Sequence, residues 1–149
     1  MIKKVNKIIK TTDVQSQESS DTVELSWFDM QKPNLSAITK KDKNFIIKAK
    51  FTHLHEGDIL VCEDGYKIQI LKSEDEIVIL KFNYVMDFVK ASYEIGNRHQ
   101  PISLESFQIT ILNDISLHDI ISNLEKNENI QVTKAKGYFK PNGKAHHKH

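Results

Sequence analysis

The chain is predicted to be an α+β protein of two small domains, and two observations carry that prediction. Apolar residues recur with the period of two expected of strands up to about residue 72. Beyond residue 82 the helical spacing of three and four joins them. A length of 149 residues fits one domain, or two small ones sharing a short seam.

The elements follow in order. Residues 11–22, TTDVQSQESSDT, are polar and read as a loop. Val23, Leu25 and Trp27 alternate with Glu24 and Ser26, which predicts a half-buried strand. Phe45, Ile47, Ala49 and Phe51 alternate in the same way and predict another. Ile59–Cys62 and Tyr66–Ile70 flank Glu63-Asp64-Gly65. Asp-Gly between two apolar runs signals a hairpin with a type I′ turn, in which both central residues take positive φ. No helical period appears in this half, so it is expected to be a small all-β domain, residues 1–74. Lys72–Asp75 is a polar break and marks the seam.

Glu76–Phe82 is almost continuously apolar and predicts a strand covered on both faces. Asn83 is placed to cap a helix carrying Val85, Phe88, Val89 and Ser92, with Gly96 as its stop. Pro101–Leu104 is a short extended piece, and Phe107, Ile109 and Ile111 alternate as a strand. Leu117, Ile120, Ile121 and Leu124 sit at i, i+3, i+4 and i+7 of an amphipathic helix, and Ser116 with Asp119 resembles its capping box. Ile130 and Val132 open a last strand. The order β-α-β-β-α-β predicts a ferredoxin-like domain over residues 75–141. Residues 142–149 are expected to form a mobile, histidine-bearing tail.

Composition removes several classes of function. With 21 basic and 20 acidic residues the net charge is +1, and no Lys/Arg stripe replaces a general grip on nucleic acid. The single cysteine, Cys62, excludes an internal disulfide framework and a cysteine-based zinc cluster. No uninterrupted apolar run exceeds four residues, so no transmembrane helix is expected. No apolar stretch follows Met1-Ile2-Lys3-Lys4, so no secretory signal is expected, and a soluble cytoplasmic protein is. No Gly-x-Ser-x-Gly, phosphate loop or His-Glu-x-x-His motif is present.

Histidines are the residues left with chemistry to offer. Three of the seven, His146, His147 and His149, lie in the last four residues, where clustered imidazoles suit nickel, copper or zinc. Lys148 interrupts them, unlike an affinity tag. His99 follows Gly96-Asn97-Arg98 and is expected to be exposed at a helix-to-strand corner. His53 and His55 lie at i and i+2 with no obvious third ligand, and His118 sits at the edge of the second helix's apolar face.

At Tyr93-Glu94-Ile95-Gly96-Asn97-Arg98-His99-Gln100-Pro101 the sequence strongly resembles the signature of the UreE family of urease accessory proteins. Val23–Trp27, Glu56-Gly57-Asp58-Ile59-Leu60 with Glu63-Asp64-Gly65, and Gly137–Pro141 before a His-bearing tail resemble further parts of it, over roughly residues 22–149. The resemblance implies a nickel metallochaperone that is not an enzyme and that dimerises through its C-terminal domain. It implies that His99 meets its symmetry mate to bind one Ni²⁺, supplemented by His146, His147 and His149, with Zn²⁺ or Cu²⁺ as competitors. It implies an N-terminal domain of a partner- or peptide-binding type, and passage of nickel toward the urease apoprotein complex through the accessory GTPase UreG. Some family members carry further histidines at the stretch matching Leu112–Ile115, which has none here. Two other readings stay open on the residues alone: a scaffold of the maturation complex with incidental metal binding, and a small metal-dependent hydrolase, which the lack of an acid/base set disfavours.

Overall fold

The computed structural model describes residues 1–11, 19–48 and 53–142. The fold is α+β. The chain divides into two compact units, Met1–Ser73 and a second that begins at Glu74.

The first unit contains β1 (Ile2–Ile9), β2 (Asp21–Leu25), α1 (Trp27–Gln31), β3 (Leu35–Ile38), β4 (Asn44–Ile47), β5 (Ile59–Cys62) and β6 (Lys67–Lys72). Its strands form one sheet in the order β2-β6-β5-β1-β4-β3. Two pairings, β1 with β4 and β2 with β6, are parallel. Val23, Leu25, Phe45, Leu60, Ile68 and Ile70 from four strands meet in its core with Met30 of α1 and Leu54.

Several expectations are corrected here. The alternation through Trp27 does not continue as a strand, and the N-terminal unit is not purely β. Ser26 is extended, and its hydroxyl accepts the Asp29 N–H at 3.1 Å, so the chain turns into α1 at Trp27. Ile2–Ile9 forms a strand in a stretch whose charged residues hid its alternation. The strand at Phe45 and Ile47 ends at Ile47, and Ala49 and Phe51 lie outside the described residues. In the Asp64-Gly65 hairpin only Gly65 has positive φ, at 87°. The Gly65 N–H donates to the Cys62 carbonyl and the Cys62 N–H to that of Tyr66, both at 2.9 Å. That is a type I turn closed by a glycine bulge rather than type I′.

The second unit contains β7 (Asp75–Phe82), α2 (Val85–Asn97), β8 (Ser103–Glu105), β9 (Gln108–Leu112), a 3₁₀ turn (Ile115–Leu117), α3 (His118–Glu125) and β10 (Ile130–Gly137). The sheet is antiparallel in the order β10-β7-β9-β8, so the apolar strand β7 is central. Val78, Leu80, Ile109 and Ile111 form one core with Ala91 and Ile95 of α2 and Ile120 and Ile121 of α3.

Three local signals were assigned differently by sequence. Tyr84, not Asn83, is the N-cap of α2, and it makes no side-chain cap bond. The 3₁₀ turn is capped by Asp114, which accepts the Ser116 N–H at 3.1 Å, so Ser116 and Asp119 form no capping box. Phe107 precedes β9 in the turn after β8, at a φ of 57°, and stacks on Phe88 with ring centroids 5.8 Å apart.

Candidate metal centre

The site begins with how α2 ends. Ala91 and Ile95 hold its inner face in the core, while Val85, Met86, Val89 and Tyr93 remain exposed on another face. The helix runs through Gly96 to Asn97, so Gly96 is not its stop. Arg98 is the C-cap, with its N–H on the Ile95 carbonyl at 3.1 Å. His99 follows with a φ of 58°, and its N–H donates to the Gly96 carbonyl at 3.0 Å. The position just past a helix C-cap is the one glycine ordinarily fills, because a Cβ there is disfavoured by about 1–2 kcal/mol. Here that residue is an exposed histidine.

Arg98 ties the corner to the next helix. Its Nη1 donates to the Ser116 carbonyl at 2.8 Å and to Asp119 Oδ1 at 3.2 Å, and its Nη2 to Asp119 Oδ2 at 2.5 Å. The guanidinium holds the Asp119 carboxyl below the usual carboxylate range, and Asp119 raises Arg98 in turn. Neither residue was singled out in the sequence as serving the site. The signal for Arg98 was its place in Gly-Asn-Arg-His; Asp119 carried only a local capping pattern.

The other histidines are scattered. His118 opens α3, with Nε2 3.2 Å from Asn113 Oδ1. His55 is exposed, with Nδ1 3.9 Å from the buried Asp58 carboxylate, and His53 is half-buried. His146, His147 and His149 lie outside the described residues. The root of their segment is described. Asn142 accepts the Leu104 N–H and donates to the Leu104 carbonyl, both at 2.8 Å, and its own N–H bonds the Ile102 carbonyl at 3.0 Å. Among the described residues no three His, Cys, Asp or Glu side chains are grouped to hold a metal. His99 is thus an exposed candidate that belongs to no such group among the described residues. Cys62 adds none, since burial, and then the Asp64 charge, push its thiol up.

The model of the UreE urease accessory protein C-terminal domain matches residues 75–149, half of the chain. A urease accessory protein UreE of Aliarcobacter butzleri is 64% identical over 130 residues, covering 87% of this chain and 88% of that protein.

The chain belongs to the UreE family.

A UreE of Verminephrobacter eiseniae is 33% identical over 110 residues, covering 70% of this chain and 66% of the relative. One of Paracidovorax citrulli is 28% identical over 130 residues, covering 84% and 60%. UreE proteins are accessory proteins, and membership places this chain outside the enzymes. No helix among the described residues is long and apolar enough to cross a membrane.

Proposed function

We propose that this protein is a nickel-binding metallochaperone of urease maturation, working in the cytoplasm as a homodimer joined through its C-terminal unit. The observation that carries this reading is the exposed His99 in a left-handed backbone state. Side chains held in sparsely populated conformations persist where the surroundings over-determine them, and such positions cluster at functional sites. Imidazole suits Ni²⁺ and also Zn²⁺ and Cu²⁺, so partners and metal supply choose among them.

One imidazole per chain is a weak site. A two-fold axis makes it two without a second motif. The exposed residues Val85, Met86, Val89 and Tyr93 fall within about 100° around α2, the helix that leads into His99, which suits a self-complementary contact there. The unit is read as ferredoxin-like, with β7 central and both helices packed in one core. His146, His147 and His149 supplement the two His99 ligands. The ion is cargo, and incomplete protein coordination leaves positions through which it passes toward the accessory GTPase UreG and the urease apoprotein complex.

Equilibrium dialysis of the full chain against Ni²⁺ tests this reading. One tight ion per dimer is expected for the wild type and none for His99→Ala, with the dimer intact. A His99→Ala dimer that still holds one tight ion overturns the assignment.

A further inference from the structure

Arg98 stands in the same motif as the proposed ligand and makes a set of contacts with another element. The guanidinium spans from the end of α2 to the start of α3 through three hydrogen bonds, two of them the paired bonds of a fork on the Asp119 carboxylate. The Arg98 and Asp119 side chains are themselves exposed, but both ends of this strap adjoin buried core residues. Ile95 is buried on the α2 side, as are Leu117 and Ile120 beside Ser116 and Asp119. On the far side of His99 the chain passes through Pro101, which restricts Gln100, to the buried Ile102. His99 therefore sits between two anchored positions, directly after the strap, in a backbone state that needs external support.

We propose that Arg98 is a positioning residue for metal capture: by clamping Ser116 and Asp119 it fixes the backbone that presents His99 before the ion arrives. The inference rests on the reading of His99 as a ligand. Fixing a residue's backbone carries an entropic cost equivalent to about a 5- to 30-fold change in an equilibrium constant. With the strap in place that ordering is complete in the apo protein. Without it, binding must supply it.

Charge and positioning make opposite predictions, which gives the inference a sharp test. Arg98 is a cation near a site for another cation, so on charge alone Arg98→Ala tightens Ni²⁺ binding. Positioning predicts that the same variant binds Ni²⁺ about 5- to 30-fold more weakly. Arg98→Lys, which keeps the charge and loses the planar fork, should also weaken binding. The double variant Arg98→Ala/Asp119→Asn removes both charges together, so it leaves no uncompensated group to compromise folding, and it should be as weak as Arg98→Ala.

The experiment is calorimetric titration of the full-length dimer with Ni²⁺ for the wild type, these variants and His99→Ala. Dimer mass, melting temperature and amide exchange at His99 are measured beside it. Weaker binding with faster His99 exchange, at unchanged mass and melting temperature, is the expected result. Binding by Arg98→Ala and by the double variant that equals or exceeds the wild type overturns the inference, provided His99→Ala abolishes the site. If His99→Ala binds Ni²⁺ as the wild type does, the ligand assignment fails first, and the two failures are thereby told apart.

Discussion

The Tyr66 hydroxyl donates to the buried Asp21 carboxylate at 2.8 Å, joining residues 45 apart in the chain. Thr39 donates to the same oxygen. The backbone N–H groups of Thr22 and Lys41 donate to the other, at 2.8 and 3.2 Å. Burial pushes the Asp21 carboxyl up, and the bonds from Thr39, Tyr66, Thr22 and Lys41 outweigh it, leaving it below the usual range. Tyr66 moves the other way. Burial, then its bond to Asp21, push the hydroxyl up to about 12.

An alkaline prediction follows from Tyr66. Between its ordinary value of 10.0 and about 12, the unfolded chain releases a proton that the folded chain keeps. Stability therefore falls as pH rises through that window. In Tyr66→Phe this part of the fall should vanish, and urea midpoints measured from pH 9 to 12 on both proteins check it. Parallel curves for the two proteins contradict the assignment.

An acid prediction follows from Asp58. Its carboxylate is buried and accepts the Thr11 N–H, the Thr11 hydroxyl and the His55 N–H, each at 2.8 Å, and the Lys10 ammonium at 3.3 Å. Burial raises the group, and the bonds from Thr11 and His55 with the Lys10 charge outweigh it, leaving the carboxyl below its ordinary 3.8. A depressed carboxyl contributes stability that is present above 3.8 and is lost as pH falls through the folded value. Asp58→Ala should cost about 1–3 kcal/mol at neutral pH and flatten the acid limb of the stability curve. Chemical denaturation at pH 7 and below pH 4 reads both effects.

The exposed stripe on α2 predicts the route to a monomer. If Val85, Met86, Val89 and Tyr93 meet their own copies, Val89→Glu removes two valines from the contact. Each buried valine contributes about 1.5–3 kcal/mol. Dimerisation should weaken by at least roughly 100-fold, with folding intact, because Val89 is exposed within one chain. Sedimentation equilibrium of wild type and variant measures this. An unchanged dimer places the contact elsewhere.

Truncation after Gly143 removes His146, His147 and His149 and leaves the Asn142 bonds to Leu104 and Ile102 in place. Folding and dimerisation should persist, while Ni²⁺ affinity or stoichiometry falls. Titrations of the full-length and truncated proteins that overlay would remove the tail from the ligand set.

Sequence alone determined the features that depend on neighbours in the chain. Alternation marked β2 and β9, continuous apolarity marked β7, and the spacing of Leu117, Ile120, Ile121 and Leu124 marked α3. Gly-Asn-Arg-His marked His99 as a corner residue, and its resemblance to UreE was borne out by the family match. The tertiary structure alone decided that Ile2–Ile9 is a strand running parallel to β4, and the structure showed that His99 rather than Gly96 takes the left-handed position. It also joined Arg98 to Asp119 and Asn142 to Leu104, 21 and 38 residues apart. The reason lies in what a local pattern encodes. Periodicity records which face of a segment leaves water, while the partner that face or side chain meets is set by packing between distant segments.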